Sequence, residues 1–220
     1  MHINKEAYFN ILAETKAAGA TLVAVSKTKP VEAIQELYDL GHRDFGENYV
    51  QELMEKEAQL PKDIRWHFIG HLQSNKVKYI TPFVHLIHGI DSVKLLKEVN
   101  KQAAKNDRKL SVLLQIHIAQ EETKFGFSEE ELSTDFFNEL QELNNVKISG
   151  LMGMASFSND TKIVRQEFKN LKRLFDNYAQ RPTANGQPLT LSMGMSADYK
   201  IALDEGSSLI RIGSLLFGKR

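Results

Sequence analysis

The stretch TLVAVSKT, residues 21–28, decides the fold. A short aliphatic run ends in Ser26-Lys27-Thr28, and Pro30 then opens a helix at its first position, where a missing N–H is harmless. The same unit, an aliphatic run followed by a charged segment of helical period, recurs to the end of the chain. The runs that read as strands are Thr21–Thr28, Arg43–Glu47, Arg65–Ile69, Val84–Gly89, Ser111–Ala119, Lys147–Met154, Leu189–Met195 and Leu209–Gly213. Strands alternating with helices imply parallel pairing through right-handed crossovers. Eight such units fit a closed (β/α)8 TIM barrel, and 220 residues stand near the compact end of the roughly 200 to 400 that this fold uses. An open doubly wound sheet, the rival, has fewer strands and often a Gly-rich first turn; the first turn here is Ser-Lys-Thr-Lys-Pro.

Boundary signals agree with this division. Asp91 and Ser92 are candidate caps for a helix over Val93–Lys105, and Ser128 with Glu131 has capping-box spacing. Thr161–Gln180 places Val164, Phe168, Leu171, Phe175 and Tyr178 on one stripe, as a core-facing helix does. An extra helix, about Asn4–Ala18, precedes the first strand. Arg181–Pro188 reads as a loop, and without any linker the chain reads as a single domain over 1–220.

Composition narrows the function. Lys+Arg and Asp+Glu are equal at 28 each, which argues against nucleic acid or an anionic membrane as the main partner. The absence of cysteine excludes disulfides, thiolate metal sites and a cysteine nucleophile. The amphipathic, acid-containing N-terminus lacks the pattern of a secretion signal, and no apolar run is long enough for a membrane span, so a cytoplasmic protein is expected.

In a barrel the chemistry gathers at the C-terminal ends of the strands. With period two, Val23, Val25, Lys27 and Lys29 share a face. An inward face would put Lys27 at the mouth beside a second cation, where desolvation and like charge favour the neutral amine that condenses with an aldehyde. Alternatively, both lysines reach solvent at a strand end. Arg211 interrupts an apolar run, and Gly213 and Ser214 after it offer unhindered N–H groups and a hydroxyl. Ser192, Gly194 and Ser196 share a face on strand seven, and the loops after strands seven and eight are the usual phosphate site of this fold. The two segments together look like a phosphate cup, unless Arg211 pairs with a structural carboxylate and the small residues only ease packing. Gly213 to Lys219 has most of a P-loop's spacing, but Arg220 stands where Ser or Thr is required. His67 with His71, and His85 with His88, lack the context of a metal site and read as satisfied or exposed histidines. A lysine and a phosphate cup in one mouth suggest a phosphorylated aldehyde: pyridoxal 5'-phosphate (PLP), or a phosphorylated sugar in a Schiff-base aldolase.

Five motifs in order carry a resemblance: Val25-Ser26-Lys27; Phe45 to Glu52; Trp66 to Gly70 with Leu72 to Lys76; Ser192 to Ser196; and Arg211-Ile212-Gly213 with Phe217-Gly218. Together they resemble the pyridoxal phosphate homeostasis protein family, and Lys124 to Phe127 also fits it. The resemblance implies a modified TIM barrel similar to the N-terminal domain of alanine racemases. It implies that Lys27 carries PLP as an internal aldimine, that Ser196, Gly213 and Ser214 bind its phosphate, that Arg211 faces the pyridine nitrogen, and that Asn48 lines the pocket. It assigns no catalytic residue and no metal. An arginine at the ring nitrogen disfavours ring protonation and weakens the cofactor as an electron sink. The expected role is therefore a non-enzymatic, monomeric PLP holder in vitamin B6 homeostasis that contacts apo PLP-dependent enzymes transiently. Lys29 and Lys124 are candidate amines for moving the aldehyde. A low-activity amino-acid racemase is the alternative.

Overall fold

A computed structural model describes residues 3–119, 125–140, 142–180 and 189–218. Eight strands close into one all-parallel barrel in chain order. They are β1 (Thr21–Val25), β2 (Asp44–Glu47), β3 (Arg65–Phe68), β4 (Leu86–Ile90), β5 (Leu110–Ile116), β6 (Val146–Gly153), β7 (Thr190–Met195) and β8 (Leu209–Ile212). The helices are α1 (Lys5–Ala17), α2 (Val31–Asp39), α3 (Val50–Gln59), α4 (Val77–Ile80), α5 (Val93–Lys105), α6 (Thr134–Leu140), α7 (Thr161–Ala179), α8 (Tyr199–Asp204) and α9 (Ser214–Phe217). The loop expected over 181–188 lies outside the described residues, as does Lys124.

Of the two candidates before α5, Ser92 is the cap; Asn4 and Asp160, which the sequence reading does not mark as caps, cap α1 and α7, and all three accept a hydrogen bond from a first-turn N–H. Pro30 sits one place earlier than expected, as the cap residue before α2 rather than its first helical residue. Ser128 and Glu131 do exchange capping-box hydrogen bonds, but only a turn follows, and α6 starts at Thr134 with Ser133 bonding the Phe136 N–H. On α7 the buried stripe takes Leu174, and Phe175 is only partly buried at its edge.

Strand parity divides the core into two layers. Outward residues such as Leu22, Phe45, Trp66, Ile87, Val112 and Ile210 pack under the helices. The barrel interior holds a smaller apolar plug of Val23, Leu86, Leu113, Met152 and Leu209. Beside that plug the interior-parity positions Asp44, His67, His88, Ser192 and Arg211 are all buried and polar.

Candidate functional site

The C-terminal mouth of the barrel opens into a cavity of about 670 Å3. Lys27, Asn48, Ser196, Arg211, Gly213 and Ser214, far apart in the chain, all line it. Such a volume falls within the usual range for a small-molecule pocket, about 300–1,000 Å3.

Lys27 does not stand on the strand. β1 ends at Val25, and Thr28 has φ +62, so the chain turns and the expected alternation stops at Val25. The turn is pinned from below. Ser26 Oγ donates to Glu47 Oε1 at 2.6 Å, and the Thr28 N–H donates to Glu52 Oε1 at 2.6 Å. Lys56 of α3 closes the cluster, its ammonium donating to the Ser26 carbonyl (2.7 Å), Glu47 Oε1 (2.8 Å) and Glu52 Oε1 (2.6 Å). Glu47 is fully buried; burial pushes its carboxyl above the ordinary value, and Lys56 and Ser26 oppose the rise. Lys29 lines the same cavity as Lys27, as the shared face implied, but through the turn rather than by strand alternation. Its ammonium donates to the carbonyls of Phe217 (3.0 Å) and Gly218 (3.1 Å), which ties β1's exit to the end of α9.

The ends of β7 and β8 meet at the mouth, but without Ser192. Gly194 has φ +96, and the β7–β8 register shifts between Ser192 and Met195. That irregularity separates the two serines. Ser192 turns into the barrel interior, while Ser196 stays at the mouth, where its Oγ accepts from the Gly213 N–H at 3.3 Å. A Cβ on Gly213 would press within 3.3 Å of Val25, so glycine lets β8's exit close onto β1. Ser214 begins α9, where the Leu216 and Phe217 N–H groups already donate to the Gly213 carbonyl at 3.0 and 2.9 Å.

Arg211 forms the floor. Its Nη1 donates to the Ser192 carbonyl (3.0 Å) and to Ser192 Oγ (2.5 Å), and Nη2 donates to the Gly153 carbonyl (3.1 Å). These partners are neutral oxygens rather than the structural carboxylate weighed above. Two of its five N–H groups remain for the cavity. Burial lowers its pKa to about 10, with Asp198 opposing, so the guanidinium keeps its charge at neutral pH.

The sequence reading missed one wall of the cavity. The segment from Met154 to Asn159 after β6, together with Thr161 and Asp198, completes the lining. Glu167 on α7 holds that segment by accepting from the Ser156 N–H (2.7 Å) and hydroxyl (2.6 Å). Its position after a barrel strand was the only available signal. The histidines pair differently from the sequence spacing: His67 and His88 are buried and hydrogen-bonded to each other, whereas His71 pairs with Asp91 outside.

The residues present fit PLP. A half-buried lysine faces the cavity, unused arginine donors line its floor, and the Ser196–Gly213–Ser214 corner supplies anion-binding donors. Asn48 Oδ1 is buried with no hydrogen-bond partner, as expected of an atom awaiting a donor from a ligand.

Comparison with known proteins agrees with the geometry. The family model for the alanine racemase N-terminal domain matches residues 6–220. A pyridoxal phosphate homeostasis protein of Aquifex aeolicus is 44% identical over 202 residues, covering 91% of this chain and 87% of its own length. The human protein of that name is 40% identical over 210 residues, 90% of this chain and 76% of its own. Among solved structures, PipY of Synechococcus elongatus with PLP bound superimposes with a TM-score of 0.83 at 33% identity, covering 95% of this chain and 99% of PipY. An alanine racemase of Clostridium difficile shares the fold alone, with a TM-score of 0.78 at 17% identity over 100% of this chain and 61% of the racemase. By sequence similarity over nine-tenths of its length and by its barrel, the chain belongs to the pyridoxal phosphate homeostasis protein family.

Proposed function

We propose that this protein binds pyridoxal 5'-phosphate through Lys27 and serves PLP homeostasis as a holder of the cofactor rather than as an enzyme. The observation that carries the reading is the convergence of Lys27, Asn48, Ser196, Arg211, Gly213 and Ser214 on one cavity. When bound, PLP supplies an aldehyde that an amine can bond and a ring that can accept electrons. Lys27 is the amine, presented by a turn that Glu47, Lys56 and Glu52 hold in place. Ser196, Gly213 and Ser214 would hold the phosphate, Asn48 would bond a polar edge of the ring, and Arg211 would face the ring nitrogen. A fixed guanidinium there opposes a proton on that nitrogen, which suits retention of the cofactor better than carbanion chemistry.

Racemisation needs a second base opposite the lysine. Besides Lys27 and Arg211, the titratable side chains lining the cavity among the described residues are Lys29, which donates to the Phe217 and Gly218 carbonyls, and Asp198, which accepts from the Met195 N–H. Among the described residues no helix is long and apolar enough to cross a membrane. The reading extends to a cytoplasmic, monomeric protein, a single domain over 1–220, that meets apo PLP-dependent enzymes transiently to hand over the cofactor.

The test is borohydride reduction of the PLP-loaded protein followed by peptide mass mapping. The expected adduct is on Lys27 and disappears in Lys27→Ala. An adduct on another side chain overturns the assignment, and D/L exchange of an amino acid at ordinary enzymatic rates overturns the holder role.

A further inference from the structure

A continuous file of buried side chains crosses the barrel interior beneath the cavity. At the N-terminal end, Arg65 grips Asp44 through Nε–Oδ1 (2.7 Å) and Nη2–Oδ2 (2.5 Å). Asp44 Oδ1 lies 3.1 Å from His67 Nε2, His67 Nδ1 lies 2.9 Å from His88 Nε2, and His88 Nδ1 lies 3.1 Å from Ser192 Oγ. Ser192 Oγ accepts from Arg211 at 2.5 Å. The file thus runs from the starts of β2 and β3 through β4 and β7 to β8, where Arg211 meets the cavity.

Donor bookkeeping fixes its direction. A carboxylate only accepts, so His67 carries a hydrogen on Nε2. When His67 is neutral, its Nδ1 must accept, so His88 carries its hydrogen on Nε2. His88 Nδ1 then accepts from the Ser192 hydroxyl. Every donor points towards Asp44, and Arg211 donates to a serine oxygen whose own hydrogen is committed. Donating its hydrogen strengthens that oxygen as an acceptor, because hydrogen bonds in a chain polarise one another.

We propose that Asp44, His67, His88 and Ser192 are positioning residues for Arg211, joined in a directional hydrogen-bond file that anchors the guanidinium at the cavity floor. Each side chain orients the next, and Ser192 Oγ, its own hydrogen committed to His88, sets how firmly Arg211 is held.

The consequence for the cavity rests on the PLP reading, but the file itself does not. Imidazole 15N NMR of the apo protein tests the file. Both His67 and His88 are expected to carry their hydrogen on Nε2; hydrogen on Nδ1 of His88 overturns the proposal. In the PLP-loaded protein Ser192→Ala is expected to shift the absorption spectrum while Lys27 trapping persists. An unchanged spectrum in Ser192→Ala overturns the link to Arg211. Loss of Lys27 trapping in the unmutated protein would instead sink the cofactor reading and leave the tautomer result standing.

Discussion

Lys56→Met isolates the cluster beneath the Lys27 turn. Methionine keeps the length of the side chain and removes three hydrogen bonds at once, to the Ser26 carbonyl, Glu47 and Glu52. Glu47 is fully buried, and its Oε2 already has no partner, so its charge would be left uncompensated. Removing one partner of a buried ion pair costs about 3–5 kcal/mol. With a urea m-value of about 3 kcal/mol/M, the unfolding midpoint falls by about 1–1.7 M near pH 8. The loss depends on pH with a definite sign. Burial raises the Glu47 carboxyl above its ordinary value and Lys56 opposes the rise, so the variant raises it further. A folded-state value above the unfolded one gives a contribution that is complete below the unfolded carboxyl value, about 4.3, and is lost as pH rises through the folded value. The deficit of Lys56→Met should therefore shrink by more than half between pH 8 and pH 4.5. Adding Glu47→Gln should recover most of it at pH 8. Urea titrations followed by far-ultraviolet circular dichroism measure all three numbers. A midpoint drop below about 0.3 M at pH 8, or the same drop at both pH values, would refute the reasoning.

Other parts of the molecule give independent tests. Gly194→Ala puts a Cβ 2.5 Å from the Ala202 Cβ of α8 at a residue with φ +96, so overpacking and backbone strain together should cost about 2–5 kcal/mol by calorimetry or urea melts; a loss under about 1 kcal/mol would show that α8 moves aside freely. His42 is buried and held to a pKa of about 4, chiefly by desolvation, with its Nε2–H donating to the Asp44 carbonyl. Because its folded value lies below the unfolded one, up to about 3 kcal/mol of stability should be lost as pH falls from about 6.5 to 4; a His42 resonance titrating near 6.5 in the folded protein contradicts this.

Lys27→Ala and the histidine tautomers complete the set, and they test different layers. The first concerns a turn at the mouth, which the sequence marked by its lysine. The second concerns residues that looked unremarkable alone, because each histidine sits in an ordinary strand pattern and the bonds joining them span 21 to 104 positions of chain.

Local periodicity and local capping were legible along the chain. Alternating aliphatic runs and helical stripes specify eight βα units, and Ser92 marks a helix start, because each of these signals acts within a few residues of itself. Motif order along the chain also picked out Lys27, Arg211 and the Ser196–Gly213–Ser214 corner. Tertiary structure alone decided where β1 stops, since Thr28 leaves the strand conformation under the pull of Glu47, Lys56 and Glu52 from neighbouring elements. It alone sent Ser192 inward and left Ser196 at the mouth, by a register shift that depends on β8 and on the space beside α8. Barrel closure supplies the reason: it brings residues from opposite ends of the chain within hydrogen-bonding distance, and no local pattern records which of them will meet.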